Sequence, residues 1–407
     1  DLKTDAINFI MSDNKFPFEL EDEKNLKGYY WDDENKVPKY KIESAKRLIV
    51  ERNPHFIRND IYELKTEKVK IFEDVKDNDF KPLVKTIVDS NSSFFITGPA
   101  GTGKSTLINK LKKKLDKNKK TYKVLTPTNL SALIVGGGTI HKFVTKIKKL
   151  ESIYNLNYDY IFVDEISMVK ECFYKFLLTI KRFKPDIKFI ISGDIKRQFL
   201  PINDRANFDY ENSLALKELT DFNKLELTTC RRSDDKLFNV CNFENIMRVD
   251  KNQFYNKMAK KHICYTNKKR IEINNKCMER YKPSKFMYIE KNKINDQSQD
   301  IFIYKDLPII CKVTDEKTTL NNNEQFTVIN YDNEKITIES VIDKRILDIK
   351  TKEFNKSFFP AYAITIYASQ GCTINEPYTI HEFDRLDNRA RYVALSRSSK
   401  YEYINII

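Results

Sequence analysis

One stretch restricts the fold of this chain more than any other: "FFITGPAGTGKSTLINKLKKKL", beginning at Phe94. An apolar run stops at Gly98. Gly101, Thr102, Gly103, Lys104, Ser105 and Thr106 follow, and then Leu107, Ile108, Leu111 and Leu115 recur at helical spacing. Ser92 to Thr97 reads as a short buried strand, so the glycines join a strand to a helix N-terminus. Without Cβ atoms they let the backbone curl until its N–H groups converge on oxygen atoms. The positive end of the helix dipole adds to that field. The spacing Gly98-x-x-x-x-Gly103-Lys104-Ser105 is that of a phosphate loop. Lys104 is expected to reach the β- and γ-phosphates of a nucleotide, and Ser105 to ligate Mg²⁺. A tight turn with a capped helix would explain the glycines, but not the Lys-Ser pair.

Binding is not hydrolysis, and the next carboxylates bear on that. In "YDYIFVDEISMV" the apolar run Tyr160 to Val163 ends in Asp164 and Glu165. Such a run suits a strand buried on both faces of a parallel sheet. In open α/β sheets the ligand lies beyond the carboxyl ends of the strands. Both acids are therefore expected to face the phosphates, Asp164 holding Mg²⁺ through water and Glu165 polarising the attacking water. An exposed acid pair at a strand end is the plainer alternative.

The chain has 407 residues, enough for two or three domains. It begins with Asp1, which reads as part of a longer protein. Its net charge of +14 favours a polyanionic partner, nucleic acid first. An AT-rich genome rich in lysine and asparagine codons gives the same balance. The seven cysteines show no C-x-x-C spacing, so neither a disulfide framework nor a zinc site is expected, and a reducing intracellular compartment is, cytoplasm or nucleus. No apolar run approaches the ~20 residues of a membrane span.

Along the chain, residues 1–78 read as an N-terminal accessory region, with "WDDENKVPKY" as a loop and "IESAKRLIVERN" as an amphipathic helix. From 79 to 229 strand and helix patterns alternate, which implies a parallel sheet covered by helices. A second α/β run occupies 230–304 and resumes at 359–407. Between them, 305–358 breaks into short alternating strands separated by Asn and Asp turns, as in a small inserted β-barrel. The lysine-rich "NKLKKKLDKNKK" reads as the solvated side of the helix after the phosphate loop.

These residues resemble the superfamily-one helicases, in the RecD-like and Pif-type branch, over about residues 90 to 400. "LTPTNLSAL" and "GGTIHKF" resemble two strand-contact motifs, "VDEISM" the acid pair, "GDIKRQFLPI" the coupling motif, and "LTTCRRSDDKLF" the segment that supplies an arginine. "YAITIYASQGCT" and "YVALSRSSK" resemble the last two motifs. The lysine- and asparagine-rich flavour is similar to versions in large DNA viruses. The resemblance implies an α/β protein of two RecA-like domains with an SH3-like barrel inserted in the second. It implies ATP with Mg²⁺ in the cleft and single-stranded DNA, with RNA as the alternative, across the top. Other replication proteins are implied as partners.

By the same resemblance, Gln198, Arg232 and Arg397 join Lys104 and Glu165 as catalytic residues, and Gln370 and Gly371 contact the nucleotide. Arg231 is the alternative to Arg232. Pro127, Thr128, Thr139, His141, Thr365 and Ser369 are implied in strand binding, where a hydroxyl can bond a backbone phosphate. A guanidinium across the cleft from Lys104 would neutralise the transferring phosphoryl group only when the domains close. Three departures stand out. "NDFKPLVKTI" lacks the upstream Gln that reads adenine, Gln198 falls one residue late, and Tyr367-Ala368 replaces a His-Lys pair.

A DNA translocase of 5′-to-3′ polarity, an RNA helicase and a nucleic-acid-binding module with a decayed ATPase are the readings that follow. The interval Val144 to Asn157 is long enough for only a stubby strand-separating hairpin, with Lys146, Lys148 and Lys149 near phosphates and Tyr154 free to stack on a base, or else for a plain surface connection.

Overall fold

The computed structural model describes residues 30–32, 37–39, 67–76, 78–147, 151–201, 208–254, 259–315 and 318–407. The phosphate loop sits at the centre of a parallel sheet of seven strands. In spatial order these are Lys70–Glu73, Asn223–Glu226, Phe94–Thr97, Lys188–Ser192, Tyr160–Val163, Tyr122–Thr126 and Gly138–Thr139. Every ladder between neighbours is parallel, so the loops after Thr97, Val163, Ser192 and Glu226 open on one edge.

Alternate residues of the central strands bury opposite faces. Phe94, Ile96 and Phe162 pack under the helices Lys81–Asp89 and Lys104–Lys117. Ile161, Val163 and Ile191 pack under Glu171–Phe183 and Leu214–Leu219. The helical spacing of Leu107, Ile108, Leu111 and Leu115 is thus a buried face, and each such side chain contributes about 1.5–3 kcal/mol on burial. The edge strand Lys70–Glu73 comes from the stretch read above as accessory.

A second parallel sheet has the order Ala363–Thr365, Lys261–Cys264, Tyr378–Ile380 and Ile404–Ile406. The helix Asn267–Tyr281 covers it and is tied to it by one side chain. Asn274, fully buried, donates to the Ala363 carbonyl (3.0 Å) and accepts from the Ala363 N–H (2.8 Å). Between the strands of this sheet the chain makes a five-stranded antiparallel sheet, in the order Ile346–Lys350, Lys335–Ser340, Gln325–Tyr331, Pro308–Cys311 and Phe358–Pro360. Its alternation has a consequence. Ile309 and Cys311 join its own core, whereas Ile310 and Phe359 pack outward on Ile364 and Ala368 of the second sheet's connection.

Two expectations are corrected. In "WDDENKVPKY", expected as a loop, Tyr30–Asp32 pairs antiparallel with Val37–Lys39; the intervening Asp-Glu-Asn stretch had masked the two short strands. The interval Val144–Asn157 forms no hairpin among its described residues. It enters as the helix Ile140–Lys146 and leaves as Glu151–Tyr154. Ile140, Phe143, Val144 and Ile147 are buried at spacings of three and four, the helical period. Tyr154 packs edge-on against Phe183 (5.8 Å). Lys148 and Lys149, like the expected helix at Ile42–Asn53, lie outside the described residues. No helix among the described residues is long and apolar enough to cross a membrane.

The Asn274 bridge gives a stability test. Asn274→Ala leaves a buried N–H and a buried C=O unpaired, at about 1–3 kcal/mol each. Urea unfolding of this variant should show a loss of roughly 2–6 kcal/mol.

Candidate functional site

The loop after Phe94–Thr97 turns through left-handed backbone at Gly98, Gly101 and Gly103 (φ 136°, 85° and 93°). A Cβ at Gly98 would lie 2.1 Å from the Leu227 carbonyl oxygen, and one at Gly103 2.8 Å from the Phe80 ring. No side chain fits at either position. Thr102 is buried and donates to the Pro99 carbonyl. Lys104 points back into the loop, donating to the carbonyls of Gly98 (2.7 Å) and Pro99 (2.9 Å). Burial pulls its pKa down, while the charges of Asp194, Glu165 and Asp164 oppose that fall. Ser105 and Thr106 stand exposed at the helix start.

Asp164 ends its strand 7% exposed. Its Oδ1 accepts from the Ser192 hydroxyl and from the Glu165 N–H. Glu165 adopts left-handed backbone (φ 55°), and its buried Oε2 has no hydrogen-bond partner. Burial first, and then the charge of Asp164, pushes its carboxyl up to about 7. A buried, unpartnered carboxyl poised near neutrality suits a general base. Ser105 and Asp164 are the residues that would hold Mg²⁺, a hydroxyl and a carboxylate being the oxygen donors that ion takes.

The arginine alternatives separate by geometry. Arg231 is held by the first sheet: it pairs with both oxygens of Asp74 (3.0 Å each), donates to the Thr102 carbonyl (2.8 Å) and rests on the Phe80 ring (4.5 Å). Burial opposes the charge on Asp74, yet Arg231 and the N–H groups of Thr229 and Thr228 keep its carboxyl below the usual range. Arg231 therefore braces the phosphate loop. Arg232 lies beside Gly101 and reaches across to the Ser396 carbonyl (2.6 Å) and the Thr373 hydroxyl (3.3 Å), with its Nε buried and unpartnered. Burial, and then the neighbouring Arg397, lowers its pKa to about 10. Arg397 is buried and donates to the carbonyls of Val393, Ser369 and Cys372.

The remaining candidates fall into place less evenly. Both polar atoms of the Gln370 amide are buried without a partner, and Gly371 is open with φ 84°. Gln198 is buried and accepts from the Ser167 hydroxyl at 3.4 Å. Thr128 and Thr139 cap the helices Asn129–Val135 and Ile140–Lys146, accepting from Ser131 and Lys142 N–H. Pro127 adjoins the first of these caps. His141 is exposed, edge-on to Phe173 (6.2 Å). Thr365 accepts from the Ala368 N–H. Ser369 is fully buried with its hydroxyl donated to the Ile366 carbonyl (2.7 Å), so it braces the connection and does not present its hydroxyl to a strand.

Sequence reasoning missed the residues that stitch the two sheets together. On the helix Asn388–Leu395 the Tyr392 hydroxyl accepts from the Ala100 N–H (2.6 Å) and meets Asp194 (3.3 Å). One turn earlier, Arg389 donates to the carbonyls of Ile195 (2.7 Å) and Gln198. The i, i+3 spacing that puts them on one helix face was readable, but not what that face would meet.

Comparison with known proteins agrees with this geometry. Residues 83–202 match the family described as AAA domain. The "ATP-dependent DNA helicase Pif1" of Campylobacter jejuni is 25% identical over 415 residues, covering 80% of this chain and 91% of that one. A Bacteroides Pif1 bound to ssDNA shares the fold with a TM-score of 0.61 at 22% identity, covering 82% of this chain and 92% of that one. The Candida albicans Pif1 helicase does so with 0.61 at 18% identity, covering 82% and 94%. Two parallel sheets with a phosphate loop and an acid pair at the edge of the first are thus a fold that this chain shares with solved Pif1 helicases. In sequence the chain is similar to the Pif1 helicase of Campylobacter jejuni along most of its length, and in fold to the solved Pif1 structures.

Two outcomes follow from the site. Glu165 must be ionised to accept a proton, and its raised value places that change near pH 7 in the free protein. The kcat/KM for ATP should therefore rise with pH up to about 7 and then level, since that ratio reports the free enzyme. Glu165→Gln should remove most of the turnover and the rise with it. Arg389→Ala removes a charge-assisted contact worth ~1.5–3 kcal/mol. Steady-state kinetics should show kcat down about tenfold, with nucleotide affinity measured by fluorescence unchanged, because among the described residues the hydrogen bonds of Arg389 go to the Gln198 loop alone.

Proposed function

We propose that the chain is an ATP-driven motor that translocates 5′ to 3′ along single-stranded DNA and opens duplex ahead of it. One observation carries the reading. Lys104, Asp164 and Glu165 from the first sheet share a buried charge cluster with Arg397 from the second, while Arg232 bridges the two. Nucleotide in that cleft supplies the phosphoryl group whose loss releases energy. Lys104 would hold its terminal phosphates, Glu165 would orient and deprotonate water, and Arg232 and Arg397 would neutralise developing charge. Arg397 approaches from the second sheet and Arg232 reaches to that sheet from beside the phosphate loop, so hydrolysis and the relative position of the sheets are linked. Gln370, with its unpartnered amide, and Gly371 are read as further nucleotide contacts.

The strand would cross the carboxyl edges of both sheets, past Pro127, Thr128, Thr139, His141 and Thr365. Names among the relatives, "ATP-dependent DNA helicase" and "bound to ssDNA", favour DNA over RNA. The polarity rests on the family resemblance. The division into an N-terminal region, two RecA-like domains and an inserted SH3-like unit is our reading, as is an intracellular, reducing location.

The test is ATPase activity with and without oligothymidylate or oligouridylate. Stimulation by the DNA strand is expected, and stimulation by RNA alone would reassign the substrate. Lys104→Ala should lose turnover while keeping strand affinity, because strand contacts are spread over both sheets; loss of strand binding in a folded variant contradicts that division. On duplexes with one tail, unwinding solely from a 3′ tail overturns the polarity.

A further inference from the structure

Two cations lie on one phenyl ring where the inserted sheet meets the second parallel sheet, and neither pairs with an anion among the described residues. The Arg270 guanidinium is 4.9 Å from the centre of Phe359, and the Lys312 ammonium is 5.9 Å from it. Arg270 is only 1% exposed. It donates to the Asn267 side-chain oxygen (3.1 Å) and the Gln297 carbonyl (2.7 Å), and its Nη1 is buried with no partner. Lys312 donates to the Asn323 side-chain oxygen (3.0 Å). All these acceptors are neutral. In a chain with 58 acidic residues, no ion pair among the described residues involves either cation. Burial, with the charge of Arg270 added, brings Lys312 down to about 8. A buried guanidinium and a half-buried ammonium on one ring, without a counter-charge among the described residues, oppose folding unless something anionic completes them.

The position says what that anion is. Phe359 shares a small apolar cluster with Ile364 and Ala368, which flank Thr365. Two residues beyond Lys312, the Thr314 hydroxyl accepts from the Asn129 side chain (3.3 Å), next to Pro127 and Thr128. Lys312 thus sits between the two segments from which strand contacts are expected, one on each sheet. Tyr367 and Ala368 bring no charge to the same place. Arg270 is sealed beneath, while Lys312 is only half-buried, so an incoming anion meets Lys312 and feels Arg270 behind it.

We propose that Lys312, backed by Arg270, forms a binding site for one backbone phosphate of the nucleic-acid strand. The proposal rests on the strand-binding reading above and adds a contact which that reading does not contain. Lys312→Met keeps the apolar stem over Phe359 and removes only the charge. The measurement is anisotropy of labelled oligothymidylate on the full chain across a salt series. Loss of one contact should make the log–log salt slope shallower by about 0.7 and weaken binding about fivefold near ~0.1 M salt. The thermal midpoint without strand should stay level or rise, because a repulsion is removed; a purely structural lysine would lower it. Lys312→Arg should restore affinity and slope, and Lys352→Met, on an exposed turn, should change neither. An unchanged slope in Lys312→Met, with the unaltered protein binding normally, overturns this site alone. No strand binding by the unaltered protein overturns the wider reading with it. Stabilisation of the unaltered protein by inorganic phosphate, with strand affinity unchanged in Lys312→Met, assigns the site to free phosphate and overturns the strand assignment.

Discussion

The architecture turns on holding one ammonium, Lys104, in a cleft with no direct ion pair among the described residues. Its hydrogen bonds go to two loop carbonyls, and its charge is offset at longer range by Asp194, Glu165 and Asp164. Such an arrangement requires several carboxylates on one rim, each too well held to collapse onto the lysine. A parallel sheet meets the requirement, because every strand delivers its carboxyl end to the same edge. Ser192 and the Glu165 N–H then fix Asp164, and Arg197 and Tyr392 fix Asp194. The left-handed turns at Gly98 and Gly103 belong to the same constraint, since the space a side chain would need is already occupied by Leu227 and Phe80.

What could be read from the sequence was chemistry that is local in the chain. The phosphate loop, the acid pair at the end of Tyr160–Val163 and the alternation of strands and helices all state their roles within a dozen residues. The short alternating strands of the insertion were legible for the same reason. The choice between Arg231 and Arg232 was not, because it depends on Asp74, more than 150 residues earlier in the chain. Nor was the partnership of Arg270 with Lys312, which exists only because Ile310 and Phe359 turn outward from their sheet. At Val144–Asn157 the length fitted a hairpin, but the period of Ile140, Phe143, Val144 and Ile147 was already helical. Length admitted either a hairpin or a surface connection, and the helical period decided the structure. Ser369 shows the complementary failure. Its motif implies a surface contact, whereas the fold turns its hydroxyl inward to the Ile366 carbonyl.

The helix Asn388–Leu395 has a mechanical consequence. It touches the phosphate loop through Tyr392 and the Gln198 loop through Arg389, three residues apart. Eight residues of helix span about 12 Å and move as one stiff body. With two attachments one turn apart, a small displacement of either loop tilts the whole body about the other attachment. The helix is then a short lever whose far end carries Ser396 and Arg397. A shift of a few tenths of an ångström beneath Tyr392 is enlarged at the arginine, and a displacement of Arg397 is returned, reduced, to the phosphate loop. The gearing between the two sheets is set by the spacing of a tyrosine and an arginine on one turn of helix.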